Sequence, residues 1–340
     1  MGTVISVSNR KESADVKSSV NMSNNTTHCP NVSTYEFNIF AVCTYSFISI
    51  VGLIFNLMAL AFFFRHTKSR SQTIVYMTNL AIADTLLILT LPMRIYHHLG
   101  FTGLPQWLCD ALGLVLKANM YGSIFLLTCI CFDRCVAVSF PMAERVQKGR
   151  QKAPLICLGV WLFTFGASLP IYFSKLKENS NVTCYTCFES QPVYSTQPVV
   201  VSVTLFVGFG IPFVIMLICS WGLLRAVQQS TVAQTSLVDS RKIQRMVAAS
   251  LLIFLLSFLP YHATLLFLCL HKNNISSSML TAYQYSLIAA CLNTVLDPIA
   301  YYFTTETFRR NVDISAVQRM FLLNSQSSEM GNRSRVPNSS

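Results

Sequence analysis

The stretch Cys129-Ile130-Cys131-Phe132-Asp133-Arg134-Cys135 ends the third of seven long apolar runs in this chain. Charged side chains near a membrane-spanning segment are costly, and where they occur they are usually paired and functional. The adjacent Asp133 and Arg134 therefore mark a functional position at one end of the third run. The other six runs decide what kind of bundle surrounds this pair.

The composition is that of a membrane protein. Of 340 residues, 52% are hydrophobic and 11% are charged, and the mean hydropathy is +0.48. Soluble globular domains carry about 25% charged residues, whereas a helix that crosses a bilayer needs about 20 mostly apolar residues. The runs that predict an all-α membrane protein with seven transmembrane helices are 39–64, 74–96, 108–138, the shorter 154–173, 198–224, 246–270 and 280–303.

The positive charges predict the orientation of the chain. The net charge is +11, and most flanking lysines and arginines follow the first and third runs or lie between the fifth and sixth. The loops at the other end carry few, namely Lys175, Lys177 and Lys272. Because cytoplasmic loops are enriched in lysine and arginine, we expect a plasma-membrane protein with its amino terminus outside and its carboxyl terminus inside. The basic charge requires no nucleic-acid partner.

Four segments are expected along the chain. Residues 1–34 are rich in Ser and Asn and predict a disordered, glycosylated extracellular tail. The bundle is expected over 35–303, an amphipathic helix on the inner membrane surface over 304–323, and a cytoplasmic tail over 324–340. Asn-x-Ser/Thr sequons in the predicted extracellular segments indicate glycosylation at Asn21, Asn24, Asn25, Asn31, Asn181 and Asn274.

Four of the twelve cysteines are expected outside the membrane or at its outer edge: Cys29, Cys109, Cys184 and Cys187. The oxidising exterior permits two disulfides among them. The sequence alone leaves three pairings open.

Landmark residues occur in order in the other six runs as well. They are Asn56, Asn79-Leu80-Ala81-Ile82-Ala83-Asp84, Trp161 with Pro170, Pro212, Phe258-Leu259-Pro260-Tyr261, and Asn293 with Asp297-Pro298-Ile299-Ala300-Tyr301. Together with Asp133-Arg134, this set resembles the class A, rhodopsin-like G-protein-coupled receptors over about residues 38–311. The resemblance implies a seven-helix bundle with a short amphipathic eighth helix, and a heterotrimeric G protein and arrestin as partners.

The resemblance also implies a conformational switch. Arg134 is expected to pair with Asp133 at rest and to swing toward the G protein when the sixth helix moves outward. In many relatives an acid at the base of the sixth helix also pairs with this arginine, and here only Asp239 could do so. We therefore expect Arg134 to be held loosely and to allow measurable basal signalling. The residues implied in the switch are Asp133, Arg134, Phe258, Pro260 and Tyr301.

Two further constellations follow from the resemblance. The family's disulfide implies a Cys109–Cys187 bond, which leaves Cys29 and Cys184 to pair. A sodium ion is implied as an allosteric ligand, because hard oxygen ligands suit such a cation. Its implied ligands are Asp84, Ser123, Asn293 and Asp297 beside Asn56; the alternative is a hydrogen-bonded polar cluster without sodium.

Basic and aromatic residues predict an anionic ligand. We expect no acid in the outer half of the third helix, where Leu116 occupies the family's amine-binding position, so an amine ligand is not expected. Cys291 occupies the position where opsins attach retinal to a lysine, which excludes an opsin. A buried guanidinium favours phosphate or carboxylate, although solvated or snorkelling charges are the alternative. The expected ligand-binding residues are Arg94, Lys117, His97, His98, Tyr121, His262, Lys175 and Lys272.

Within class A, several stretches resemble the non-Edg lysophosphatidic acid receptors, in the branch that also holds the nucleotide receptors. They are Leu91-Pro92-Met93-Arg94-Ile95-Tyr96, Asn119-Met120-Tyr121-Gly122-Ser123, Cys157-Leu158-Gly159-Val160-Trp161 and Cys187-Phe188-Glu189-Ser190. The resemblance implies an anionic lysophospholipid ligand such as lysophosphatidic acid. Arg94 and Lys117 would hold the phosphate, and Leu265, Leu266, Phe267 and Leu287 would surround the acyl chain. It also implies G proteins of the twelve/thirteen or Gq class.

Other functions remain as alternatives. A nucleotide, another small anion or a peptide would also suit a basic pocket, but His262-Ala263-Thr264-Leu265 holds only half of the nucleotide receptors' His-x-x-Arg/Lys motif. A transporter would need a polar pathway through the bundle, and the sequence shows none beyond the sodium-site residues. No Ser/His/Asp triad or metal-spaced cluster is present, so we expect neither an enzyme nor a bound cofactor.

Overall fold

The computed structural model describes residues 38–65, 72–101, 104–140, 143–179, 187, 197–229 and 234–304, with backbone alone for 170–179, 226–229, 234–242 and 300–304. All the described helices belong to one compact unit within Tyr35–Ser340. Several predictions lie outside the described residues. They concern the tail 1–34, the Cys29–Cys184 pair, the sequons at Asn21, Asn24, Asn25, Asn31 and Asn181, the helix over 304–323 beyond Thr304, and the tail 324–340. The predicted contact of Arg134 with Asp239 also stays a prediction, because only the backbone of Asp239 is described.

The predicted all-α class is confirmed. The described helices are α1 (Ile39–Arg65), α2 (Gln72–His98), α3 (Gln106–Ser139), α4 (Glu144–Arg150), α5 (Ala153–Asn179), α6 (Pro198–Val203), α7 (Ile211–Gln229), α8 (Gln234–Leu270), α9 (Ser277–Cys291) and α10 (Asn293–Thr304). Six spans are long and apolar enough to cross a membrane, and the pair α4 and α5, bent by 47°, makes a seventh. The fourth span is therefore the bent one, and it is also the one with the shorter apolar run.

Local sequence explains where several helices begin and end. After α2, Gly100 has φ of 90°, the left-handed conformation that glycine adopts readily at a helix end. Pro105 precedes α3 in an extended conformation. Ser276 caps α9, because its hydroxyl accepts a hydrogen bond from the Met279 backbone at 3.3 Å.

A π-helical segment, Thr204–Gly210, joins α6 to α7 within the fifth span. The backbone N–H of Ile211 donates to the carbonyl of Phe206, five residues earlier. Pro212 follows directly and has no N–H to donate, so a regular α-helical ladder is interrupted at this point. The segment widens the helix where it faces α3 and α8.

The helices form a ring around α3. Helix α2 packs between α1 and α3, α3 also contacts α5, α7 and α8, and α10 contacts α1 and α8. In the apolar window of α3, 67% of residues are buried, against 22% for the span Pro198–Arg225. Helix α3 is therefore the central helix of the bundle.

The Cys109–Cys187 disulfide is confirmed, with the two Cα atoms 5.5 Å apart. It fixes the start of α3 to the segment before α6. We call this side of the bundle the disulfide end, and the opposite side, where α3 finishes, the Arg134 end.

Candidate functional site

Lys117 lies among aromatic side chains inside the bundle. Its Nζ donates a hydrogen bond to the Tyr261 hydroxyl of α8. The same nitrogen is 4.3 Å from the centroid of the Tyr261 ring and 5.9 Å from that of Tyr283 on α9. Ring faces attract a cation, and more strongly where water is excluded. Lys117 thus points into the bundle instead of snorkelling to the membrane surface.

His262 and Tyr121 lie next to this lysine. The His262 ring is 5.0 Å from Tyr261 and 6.0 Å from Tyr121, measured between ring centroids. Phe209 of the π-helical segment stacks on His262 with a centroid distance of 4.5 Å. These residues from α3, the π-helical segment, α8 and α9 form one group, which we call the Lys117 group: Lys117, Tyr121, Phe209, Tyr261, His262 and Tyr283.

Arg94 belongs to a different set of neighbours. It is buried near the end of α2, and its Nη2 donates to the Leu112 carbonyl of α3 at 3.4 Å. His98 stacks on Tyr45 of α1, with centroids 5.7 Å apart. Arg94, Tyr45 and His98 line a cavity of about 20 Å³ between α1, α2 and α9, together with Asn38, Ala41, Gln284, Tyr285, Leu287 and Ile288. A cavity of this volume has room for a water molecule but not for a lipid.

The structure therefore separates the predicted ligand residues into two groups at the disulfide end. Lys117, Tyr121 and His262 lie with aromatic residues of the π-helical segment, α8 and α9, whereas Arg94 donates to α3 and, with His98, lines a cavity beside α1 and α9. A ligand that contacts both Arg94 and Lys117 must extend from one group to the other. His97 is buried beside His98, Lys272 is exposed in the turn after α8, and the Lys175 side chain is not among the described ones.

The residues predicted to surround an acyl chain also separate. Leu265 is fully buried and Leu287 partly buried, so both face the interior of the bundle. Leu266 is 44% exposed and Phe267 is 54% exposed, on the outer surface of α8. The prediction that these two side chains line an internal site is wrong, because adjacent residues on a helix point about 100° apart.

Asp110 contradicts the expectation that the outer half of the third helix carries no acid. It lies in the second turn of α3 and is 6% exposed, and Gln106 Nε2 donates to its Oδ1 at 3.2 Å. The signal was present in the sequence, since Asp110 directly follows Cys109. Leu116, at the family's amine-binding position, is buried in an apolar cluster with Leu91 and Ile288.

The predicted sodium-site residues are all buried in the bundle. Asn119 Nδ2 donates to Asp84 Oδ1 at 3.2 Å, and Asn293 Nδ2 donates to Asp297 Oδ2 at 2.9 Å. Asn56 Nδ2 donates to the Gly52 and Thr294 carbonyls at 2.9 and 2.7 Å. Asn119 was not among the residues predicted from the sequence.

Several buried oxygens in this cluster have no hydrogen-bond partner among the described residues: Asp84 Oδ2, Asp297 Oδ1, Asn293 Oδ1, Ser123 Oγ and Asn56 Oδ1. Asp84 and Asp297 are close enough to interact electrostatically. Carboxylate, amide and hydroxyl oxygens are the donors that a hard cation prefers. These residues therefore fit a small hard cation, which would supply the missing positive charge between the two carboxylates.

At the Arg134 end, the predicted pairing of Asp133 with Arg134 is wrong. Arg150 of α4 donates from Nε to Asp133 Oδ1 at 2.7 Å and from Nη2 to Oδ2 at 3.1 Å. Thr73 of α2 donates its hydroxyl to Oδ2 at 2.6 Å. Arg134 Nε has no hydrogen-bond partner in the described part of the chain. A bidentate guanidinium from the neighbouring helix is the better-aligned partner for the carboxylate.

The other residues predicted for the switch lie in the sixth and seventh spans. Phe258 is fully buried in α8, where its ring packs edge-to-face on Phe254 at 5.8 Å. Pro260 lies inside the same helix. Tyr301 belongs to α10, but its side chain is not described. Trp161 Nε1 donates to Asn79 Oδ1 at 3.0 Å and fixes α5 to α2.

A seven-helix bundle with a disulfide at one end and an Asp-Arg pair at the other defines a class of membrane receptors. The family profile described as 7 transmembrane receptor (rhodopsin family) matches residues 55–301. The chain belongs to this family, the class A G-protein-coupled receptors. It is therefore a multi-pass membrane protein that binds a ligand and G proteins, and it is not an enzyme.

Its relatives include several lipid receptors. The chain is 30% identical to mouse lysophosphatidic acid receptor 6 over 306 residues, which cover 86% of this chain and 88% of the relative. It is 31% identical to human lysophosphatidic acid receptor 4, over 87% and 82% of the two chains. Human cysteinyl leukotriene receptor 1 is 32% identical, over 79% and 82%. Cys29-Pro30 also resembles the fifth lysophosphatidic acid receptor, and that finer match stays a prediction.

Proposed function

We propose that this receptor detects an anionic lysophospholipid such as lysophosphatidic acid at the disulfide end and activates heterotrimeric G proteins at the Arg134 end. The observation that carries the proposal is the presence of two cations, Arg94 and Lys117, within the bundle at the disulfide end. The similarity to lysophosphatidic acid receptors 6 and 4 supports the same ligand class.

The chemistry of the two cations supports an elongated anion. The Lys117 ammonium offers a point charge with rotatable donors, whereas the Arg94 guanidinium offers a planar fork that suits phosphate. A phosphate group has several anionic oxygens and can accept hydrogen bonds from both kinds of cation. Leu265 and Leu287 add apolar surface for a hydrocarbon chain.

The test is ligand-dependent nucleotide exchange on a purified G protein, with the full chain in lipid nanodiscs. We expect lysophosphatidic acid to stimulate exchange. Arg94→Ala and Lys117→Ala should each weaken its potency by about 10- to 100-fold, because hydrogen bonds to charged groups contribute about 1.5–3 kcal/mol. Lys272→Ala removes an exposed charge from the same end and is the matched control, with an expected change below about twofold.

Two outcomes contradict the proposal. If no lysophospholipid stimulates exchange, the ligand class is wrong. If both alanine variants respond like the wild type while lysophosphatidic acid remains active, the phosphate is held elsewhere.

A second candidate ligand is favoured by the similarity to cysteinyl leukotriene receptor 1. A cysteinyl leukotriene would present carboxylates to the same two cations. Lysophospholipids, cysteinyl leukotrienes and nucleotides belong in one screen, and the most potent class identifies the ligand. Uptake of labelled ligand into vesicles without nucleotide exchange would favour a transporter.

We also propose the orientation and partners that follow from the charge pattern. The disulfide end faces the exterior of the plasma membrane, and the Arg134 end faces G proteins of the twelve/thirteen or Gq class and arrestin. Asn274 supports this orientation, since it is exposed in the turn at the disulfide end. A mobility shift on glycosidase treatment that is lost in Asn274→Gln tests it, and a receptor glycosylated only near the Arg134 end would reverse it.

Finally, we propose that sodium is an allosteric ligand of the Asp84 cluster. Asp84, Ser123, Asn293 and Asp297 would hold the ion, with Asn56 and Asn119 fixing the side chains around it. The bound cation would supply charge compensation for two buried carboxylates, which is otherwise missing among the described residues. A hydrogen-bonded cluster without sodium is the alternative, and the sodium dependence described in the Discussion separates the two.

A further inference from the structure

Two buried polar atoms in the Lys117 group have no hydrogen-bond partner among the described residues: His262 Nε2 and the Tyr121 hydroxyl. His262 is 2% exposed. The Tyr121 hydroxyl lies beside Tyr261, close enough to interact with it. Buried polar groups without partners cost free energy, so native proteins usually satisfy them with protein, water or ligand atoms.

The role of His262 is fixed by its other ring nitrogen. Nδ1 lies 2.7 Å from the Phe258 carbonyl oxygen. Because a carbonyl only accepts, Nδ1 carries the proton, and in the neutral ring Nε2 is left as an acceptor. Phe209 stacks on one face of the ring, and Tyr261 and Tyr121 approach edge-on. These contacts hold Nε2 in place, and an acceptor with a lone pair attracts a donor and repels an anion.

Tyr121 is positioned by a glycine in the π-helical segment. A Cβ atom built on Gly208 would lie 2.8 Å from Tyr121 Cε1 and 3.3 Å from Cδ1. A side chain at position 208 would therefore displace the Tyr121 ring. The Tyr121 hydroxyl can both donate and accept a hydrogen bond. Together with the acceptor Nε2 of His262, it can therefore bind a ligand group that also donates and accepts.

A hydroxyl group of the ligand has these properties, and Lys117 next to it suits an anionic group. Resting on the proposed function, we infer that His262 and Tyr121 form a subsite for a ligand hydroxyl adjacent to the anionic group that Lys117 binds. In lysophosphatidic acid, the free glycerol hydroxyl lies one carbon from the phosphate-bearing carbon and has this arrangement. An analogue with the same acyl chain but no hydroxyl leaves Nε2 without a donor.

The experiment compares lysophosphatidic acid with its 2-deoxy analogue of identical acyl chain, in nucleotide exchange by the full-length receptor. On the wild type, we expect the hydroxyl ligand to be more potent by about tenfold, since sites that bind a hydroxyl reject analogues lacking it. His262→Phe and Tyr121→Phe each remove one partner and keep a ring. Both should reduce the ratio toward one by weakening only the hydroxyl ligand.

A glycine pair gives an independent test. Gly208→Ala should reduce the same ratio by displacing Tyr121. Gly166→Ala on α5 is the matched control, because nothing lies within 4 Å of its added Cβ, and it should leave the ratio unchanged. Lys117→Ala should weaken both ligands equally. Receptor at the cell surface is quantified for every variant, so that loss of folding is not mistaken for loss of selectivity.

The outcomes are separable. If the wild type responds equally to both ligands, the hydroxyl subsite is wrong and a water molecule satisfies the two atoms. A preference that persists in His262→Phe and Tyr121→Phe also overturns it. If neither ligand activates the wild type, the proposed function fails and this inference fails with it.

Discussion

The carboxylate of Asp133 and the pair formed by Asp84 and Asp297 are all buried, yet their surroundings are opposite. Both oxygens of Asp133 accept hydrogen bonds, from Arg150 and Thr73. Asp84 and Asp297 each accept one bond from an amide, and their remaining oxygens have no partner among the described residues. The carboxylate of Asp133 is fully hydrogen-bonded and paired with an arginine, whereas no cationic side chain in the described part of the chain is seen to pair with Asp84 or Asp297.

This difference separates two uses of a buried carboxylate. A carboxylate paired bidentately with an arginine fixes two helices relative to each other, here α3 and α4. Carboxylates without a cationic side chain carry an unfavourable desolvation cost until a cation or a proton arrives. The ion pair at Asp133 favours one arrangement of the two helices. The charge at Asp84 and Asp297 depends instead on the cations and protons available in solution.

The largest expected effect concerns that response. Replacing about 150 mM potassium by sodium should weaken agonist affinity by about tenfold, within the usual range of allosteric coupling. Asp84→Asn should abolish the sodium effect, because it removes a carboxylate with an unpartnered oxygen. Asp133→Asn makes the same chemical change at the arginine-paired carboxylate and should preserve the effect. Agonist binding in the two salts measures both, and equal sodium sensitivity in wild type and Asp84→Asn refutes the assignment.

A second expected effect concerns the pair at the Arg134 end. Arg150→Ala leaves Asp133 without its cation, so the carboxylate becomes available to the adjacent Arg134. Basal nucleotide exchange should then fall by about fivefold. Asp133→Asn cannot capture Arg134 and should not lower basal exchange. A wild-type receptor that is silent without ligand, or an Arg150→Ala variant more active than it, contradicts this prediction.

A smaller effect is expected at Asp297. Asp297→Asn retains Asp84 and so retains one carboxylate for the cation. The sodium effect should decrease to about threefold without disappearing, because part of the Coulomb attraction is lost. Agonist binding in the two salts again provides the measurement. Complete loss in this variant would mean that both carboxylates are required to hold the ion.

The smallest effect is expected at the half-buried, uncharged hydrogen bond between Trp161 and Asn79. Trp161→Phe removes the hydrogen bond to Asn79 and should destabilise the receptor by about 0.5 kcal/mol, the lower range for a neutral bond. Thermal unfolding of the purified receptor should show a decrease of roughly 1–2 °C in midpoint. A decrease comparable to that of a broken ion pair would mean that charge is not what distinguishes the carboxylate sites.

The helices could be predicted from the sequence because the bilayer imposes their length and apolar character. Runs such as 246–270 mark the core of a span directly, and α8 extends beyond this run at its start. The Cys109–Cys187 bond and the shared location of Asp84 and Asp297 followed from the resemblance to a family. These features depend on which helix a residue belongs to and on its depth along the bundle.

Contacts that depend on rotation and bends could not be predicted. Arg150 reaches Asp133 because α4 turns by 47° before α5, and nothing in the sequence specifies that angle. The separation of Arg94 from Lys117 depends on which face of α2 and α3 each one occupies. Asp110 could have been found from the sequence, since it lies within the third run, and it was overlooked.

The wide turn at Thr204–Gly210 has a consequence for chain length. Elsewhere in the bundle, inserting or deleting one residue would rotate the rest of a helix by about 100° and move its buried face toward lipid. A π-helical turn holds one residue more than an α-helical turn over nearly the same rise. The fifth span can therefore lose a residue there by reverting to a regular helix. An alignment with a relative that lacks this turn requires a one-residue gap before Pro212. Without that gap, every residue of α7 is aligned with a residue one position away from its structural equivalent.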